Sequence, residues 1–234
     1  MNETINLFIK NGLYIPFISS IIYYTTNNFF LSTIIALKVH SFNFFYWFAP
    51  CYKYKNLPKK LYFIKQFIRF TDTGHIASFI YFFNPHFFPI AYNVHFIITF
   101  GYWIGKIYLK IKEKQQLNNI ENIKIIENIW MYINHIVPLL LLIRELYTSS
   151  NLCNYKIFIL KDLYYSYIWL YTWFFCIYIP WYNITDDYVY SMFSPKTTIK
   201  YKIYIILFIH FLILISNTTG KLIHSINCNT KLLS

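Results

Sequence analysis

Six apolar runs, each close to the ~20 residues that carry a helix across a hydrocarbon core, dominate this chain of 234 residues. They fall at about 13–37, 61–83, 87–109, 129–147, 158–182 and 199–216. The second ends at Asn84-Pro85 and the third follows at once, so the two are expected as an antiparallel hairpin. A charged stretch, KIKEKQQLNNIENIKIIEN (110–128), separates the third from the fourth and is expected as a loop or a surface helix. The first run carries a polar TTNN in its middle and is too long for a signal-peptide core. In lipid every backbone N–H and C=O has to be satisfied within the chain, which a helix does on its own. The runs therefore predict an all-α, polytopic membrane protein: one membrane domain over residues 1–234, with six transmembrane helices in one bundle.

Composition agrees. Hydrophobic residues make up 57% of the chain and charged residues 13%, and the mean hydropathy is +0.38, which excludes an ordinary soluble domain. Ile, Asn, Lys, Tyr and Phe are all abundant, as AT-rich coding produces, so the 24 Tyr and 24 Phe are not evidence of stacking platforms for nucleic acid. The net charge of +12 comes mostly from Lys in short loops, a pattern suited to anionic lipid headgroups. Membrane lipids are the expected partners, and nucleic acid is not. The stretch FNFFYWFAPCYKYKNLPKKL (42–61) interleaves aromatic and basic residues as the headgroup layer favours.

The four cysteines (Cys51, Cys153, Cys176, Cys228) form no CxxC, and the seven histidines form neither HxxxH nor HExxH. No metal and no cofactor are expected, although ligands from different helices can still meet in space.

Lysines are unevenly distributed between the runs. Lys53, Lys55, Lys59, Lys60, Lys112, Lys114, Lys124 and Lys196 follow runs one, three and five; the opposite side holds little beyond Lys10, Lys156, Lys221 and Lys231. The positive-inside rule places the first set in the cytoplasm and both termini on the far side. Ionisable groups inside a bilayer are costly and tend to face a bundle interior. Lys65, Arg69 and Asp72 recur at spacings of four and three, which stacks them on one helical face. They are either a polar wall lining a site or a snorkelling pair with Asp72 bound to Arg69. His135 lies about 9 Å inside the fourth run by helical rise, where an imidazole can serve as an acid/base group or as a hydrogen-bonded interior residue. Arg144-Glu145 reads as an interfacial anchor, and His75, His86, His95 and His210 as packing or interface residues.

Three stretches, in one order, carry a family resemblance: QFIRFTDTGHIASFIYFF (66–83), WMYINHIVPLLLLIREL (130–146) and TDDYVYSMF (185–193). They are similar to the F-L-T-F-x-D/N-L-x-x-Q-A-x-F-F, W-L-N-H-x-M-H-T and T-G-x-W-V-Y-P-F-L stretches of the androgen-induced gene and androgen-dependent TFPI-regulating protein family. WIGKIYLK (103–110) and NTTGKLIHS (217–225) add weaker similarity. The resemblance implies a six-span intramembrane threonine hydrolase that cleaves fatty acid esters of hydroxy fatty acids or similar lipid esters, in the endoplasmic reticulum or another endomembrane. It makes His135 the catalytic histidine, with the spacing to Glu145 that the family has. In ungapped register Arg69 stands at the nucleophile position, leaving Thr71, two residues on, and Thr73, one helical turn on, as candidate nucleophiles. Asp72 or Asn134 would then orient the imidazole or polarise the carbonyl. The alternative is a family member without hydrolase activity that binds lipid or acts as a scaffold. A small transporter is a third reading, for which the broken helices or repeated halves of such proteins have no counterpart in the sequence.

Overall fold

The computed structural model describes residues 19–39, 61, 64, 67–112, 121–186, 188–195 and 197–232, and all regular structure among them is helical. The aromatic-basic stretch up to residue 60, Lys65 and residues 113–120 of the charged linker lie outside the described residues. The main helices are α1 (Phe29–Val39), α2 (Phe70–Phe83), α3 (Phe88–Lys112), α4 (Glu121–Thr148), α5 (Leu160–Thr172), α6 (Ile179–Thr185) and α7 (Ile199–Leu232). A π-helical stretch, Trp173–Tyr178, joins α5 to α6 without a break.

Four expected boundaries change. The first run is not one helix. Asn27 adopts a left-handed conformation (φ 49) between helical residues 19–26 and α1. The Thr25 and Thr26 hydroxyls bond back to the Ile21 and Ile22 carbonyls, and Asn28 Oδ1 accepts the Leu31 N–H. Short polar side chains thus compete with the helix ladder and then cap the next helix. The second run is interrupted at Arg69, whose extended backbone (ψ 141) makes it the N-cap of α2. Residues 121–128 of the charged stretch belong to α4. The sixth run continues to Leu232 because Asn217 finds partners inside the protein, bonding to Asn93 and to the Phe158 carbonyl.

The core is built around α3. Every residue from Phe88 to Thr99 is buried, and α3 packs against α2, α4, α5 and α7. A helix buried on all sides carries apolar residues all round, here Phe88, Ile90, Ala91, Tyr92, Val94 and Phe96. Its buried polar residues are spent on neighbours. Asn93 donates to Ser166 Oγ on α5 at 2.9 Å and accepts from Ser216 Oγ on α7 at 2.7 Å. Asn227 donates to the Leu146 carbonyl, tying α7 to α4. The chain enters α5 through Phe158, itself left-handed (φ 59) and packed so closely on Gly220 that a Cβ there would lie 2.3 Å from its ring. A disulfide between Cys153 and Cys228 closes the same end of the bundle.

Two helical stretches, Pro85–Gly105 and Ile199–Asn229, are long and apolar enough to cross a membrane. The first is mostly buried within the protein. The second turns Ile203, Leu207, Phe211 and Leu214 outward as an exposed apolar stripe.

Candidate active site between α2 and α4

The break at Arg69 decides what the start of α2 presents. With Arg69 outside the helix, Asp72 lies in the first turn, where a carboxylate suits the positive end of the helix dipole. Its oxygens are taken by Lys38 at the end of α1 and by Arg69 Nε at 3.0 Å. Asp72 therefore anchors α1 to the start of α2. This is the pairing with Arg69 that the sequence allows, with Lys38 as a partner from another element. Asp72 is fully buried, and two cations flanking one carboxylate stabilise a charge that burial alone would penalise.

Thr71 is buried, and its Oγ1 lies 3.4 Å from His135 Nε2 on α4. His135 is buried as well, stacked on Tyr102 of α3 with ring centroids 4.1 Å apart and planes 21° apart. The Thr99 hydroxyl donates to the His135 backbone carbonyl, fixing this turn of α4 against α3. Three residues on, Pro138 lacks the N–H that would bond the Asn134 carbonyl. Thr73 is occupied elsewhere: its hydroxyl donates to the Phe70 carbonyl at 2.8 Å and accepts from Trp169 Nε1 at 3.4 Å. The structure thus brings Thr71 and His135 together and turns Thr73 toward α5. Asn134 is buried with Oδ1 unpartnered among the described residues.

A further group in the site escaped residue-by-residue reading. The Tyr190 hydroxyl accepts the Phe70 N–H at 2.9 Å, one residue before Thr71. Its ring packs against Trp173 and Tyr178 of the π-helical stretch. Burial pushes the Tyr190 phenol up to about 12, so it keeps its proton at neutral pH. Tyr190 lies within the TDDYVYSMF stretch, and that was the only trace of it in the sequence. The support from Tyr102, Thr99 and Lys38 left no trace there, since each contact crosses between helices.

The cysteines are brought together at the other end. Cys153 and Cys228 are bonded to each other, and a ring nitrogen of His224 lies within 4.8 Å of both sulfurs. His224 Nε2 is 3.0 Å from the Leu152 carbonyl. This meeting of residues far apart in sequence is invisible to spacing rules.

Compared with family models, curated proteins and solved structures, the chain matches none of them.

Proposed function

We propose that the chain is a six-span membrane protein that hydrolyses lipid esters at Thr71 and His135, as the resemblance to the androgen-induced gene family implies. The observation that carries this reading is the buried contact of 3.4 Å between Thr71 Oγ1 and His135 Nε2. Nucleophile and base within reach of each other, with the base held by its packing, here the His135 ring stacked on Tyr102, is the arrangement that activates a hydroxyl. A loose distance is usual before substrate binds.

The reaction follows from the donors present. Thr71 gives its proton to His135 Nε2 as Oγ1 forms a bond to the ester carbonyl carbon. The carbonyl oxygen, now negative, takes a hydrogen bond from the neutral Tyr190 phenol, whose own oxygen is polarised by the Phe70 N–H. His135 returns the proton to the departing alcohol as its C–O bond breaks, leaving an acyl-threonine. Water then attacks that ester with His135 again as base, releasing a fatty acid and restoring Thr71. A substrate whose acyl chains stay in lipid is served by a site buried between helices.

The six-span reading has its own support. The Cys153–Cys228 bond joins the α4–α5 connection to the end of α7, and two crossings, α5–α6 and α7, separate these points. Both ends then lie on one side, the side the lysine count places away from the cytoplasm. Disulfides persist on that side.

The test is labelling by a lipid-like fluorophosphonate in wild type and in Thr71→Ala, Thr73→Ala and His135→Ala. Labelling lost in Thr71→Ala and His135→Ala but kept in Thr73→Ala is expected. A folded wild type that takes no label and turns over no ester removes the hydrolase, and lipid binding that persists in all variants identifies a non-catalytic lipid-binding protein.

A further inference from the structure

The least explained polar groups in the molecule lie one helical turn from Thr71. His75 on α2 is 2% exposed, and neither ring nitrogen has a hydrogen-bond partner among the described residues. His95 on α3 is fully buried and stacks on His75 with centroids 5.6 Å apart. Its Nε2 meets Ser78 Oγ at 3.0 Å, while its Nδ1 has no partner among the described residues. The neutral His75 ring offers one donor and one acceptor, and Asn134 Oδ1 is a further acceptor without a donor.

These groups form a file. Thr71, His75 and Ser78 recur at spacings of four and three along α2, and His95, Thr99 and Tyr102 do so along α3, so each set occupies one helical face. Thr99 and Tyr102 both contact His135. Buried polar atoms without partners are rare and costly. A set holding both an unmet donor and unmet acceptors, all lined up behind a nucleophile, is what a molecule that donates and accepts can satisfy.

We propose that His75, His95 and Ser78 hold the water that resolves the acyl-enzyme and pass it to the level of Thr71 and His135. This role rests on the hydrolase reading. The water oxygen bonds to the acyl carbon, its proton goes to His135 Nε2, and the bond from that carbon to Thr71 Oγ1 breaks. His135 then returns the proton to Thr71 Oγ1, and the fatty acid leaves. His75 and His95 are positioning residues here, because they act on the water and not on the ester.

The role predicts a split that a general packing defect does not give. The full-length protein in detergent is mixed rapidly with the p-nitrophenyl ester of a long-chain fatty acid. In His75→Asn and His95→Asn the burst of p-nitrophenol stays within about twofold of wild type while the steady rate falls about tenfold or more. Acylated Thr71 then accumulates and is found by peptide mass spectrometry. Ser78→Ala removes one hydroxyl from the same water and shows the same split more weakly, and it serves if the histidine variants do not fold. Burst and steady rate unchanged in folded variants, or lost together in all of them, overturn the water role while Thr71→Ala still abolishes the burst. A wild-type burst absent, or identical in Thr71→Ala, removes the hydrolase and this role with it.

Discussion

Thr71 and Thr73 are two residues apart, yet they have opposite fates, and the difference is the break at Arg69. The resemblance, in ungapped register, sets Arg69 against the family's nucleophilic threonine and leaves both threonines out of register. With Arg69 extended, Thr71 sits in the first turn of α2, facing His135 and Tyr190, while Thr73 is held by the Phe70 carbonyl and Trp169. Periodicity could not show this, because it assumes a continuous helix; the Arg69–Asp72 pair is local, but Lys38, which also holds Asp72, comes from another element. The residues alone marked His135 as a polar group costly to bury in an apolar run and left acid/base and interior hydrogen-bonding roles open; the choice between them came from the resemblance. Thr71→Ala and His135→Ala should each lower ester turnover by about 10³-fold, and Thr73→Ala by less than about fivefold, as measured by steady-state hydrolysis in detergent. Tyr190→Phe should cost about 10²-fold in kcat with little change in KM, the pattern for a donor used mainly in the transition state. Because burial raises the Tyr190 pKa to about 12, the phenol stays protonated well above neutrality. The loss in Tyr190→Phe should therefore be the same near pH 7 and about pH 9. A loss that vanishes at the higher pH would assign the effect to an ionised phenolate.

Among the elements, α3 was the most legible and the first run the least. The alternation of large apolar residues from Phe88 onward, closed off by Asn84-Pro85, reads directly as a hairpin partner and becomes the buried centre of the bundle. The TTNN break in the first run and the absorption of Asn217 into α7 depend on whether a polar side chain finds its partner locally or across the bundle. A single sequence does not distinguish those outcomes. Gly220 shows the same dependence. No turn requires it, but the Phe158 ring fills the space a Cβ would take, and the left-handed Phe158 backbone gives that ring little freedom to withdraw. Gly220→Ala should destabilise the protein by about 1–3 kcal/mol, read as a lower midpoint of thermal unfolding in detergent. An unchanged midpoint would show that the α5 entry can shift without cost.

At the scale of the whole molecule, hydrophobicity alone made the all-helical architecture legible, while the closure of the bundle was not. The Cys153–Cys228 bond spans a separation of 75 residues, and a loop of that length contributes about 4 kcal/mol in the chain-entropy view. Cys153→Ser or Cys228→Ser should therefore lower stability markedly, and the wild type should run faster on gels without reductant than with it. In sealed vesicles with the cytoplasmic face outward, these cysteines should resist an impermeant reductant and maleimide until the vesicles are opened. Labelling of both in intact vesicles would reverse the orientation. The exposed apolar stripe of α7 and the outward Tyr164, Ile168, Tyr171 and Phe175 of the α5 region form an apolar girth of the kind that marks an interaction or membrane-contact surface.

The π-helical stretch Trp173–Tyr178 has a consequence of its own. A π turn accommodates one residue more than an α turn, so the helix there carries a surplus residue that it has not expelled. Removing one outward-facing residue, Phe175 or Cys176, lets the stretch rewind as ordinary α-helix. A π turn winds less per residue than an α turn, so the stretch turns the chain through about the same angle as an α segment one residue shorter. Trp173, which donates to the Ile68 carbonyl, and the chain leading to Tyr190 would then keep their places. Such a deletion should leave both circular dichroism and labelling of Thr71 nearly unchanged. Deleting a residue from α5, where nothing absorbs the loss, should instead rotate everything beyond it by about 100° and abolish that labelling. The π turn would then act as slack, letting this helix lose a residue without disturbing the packing around Thr71.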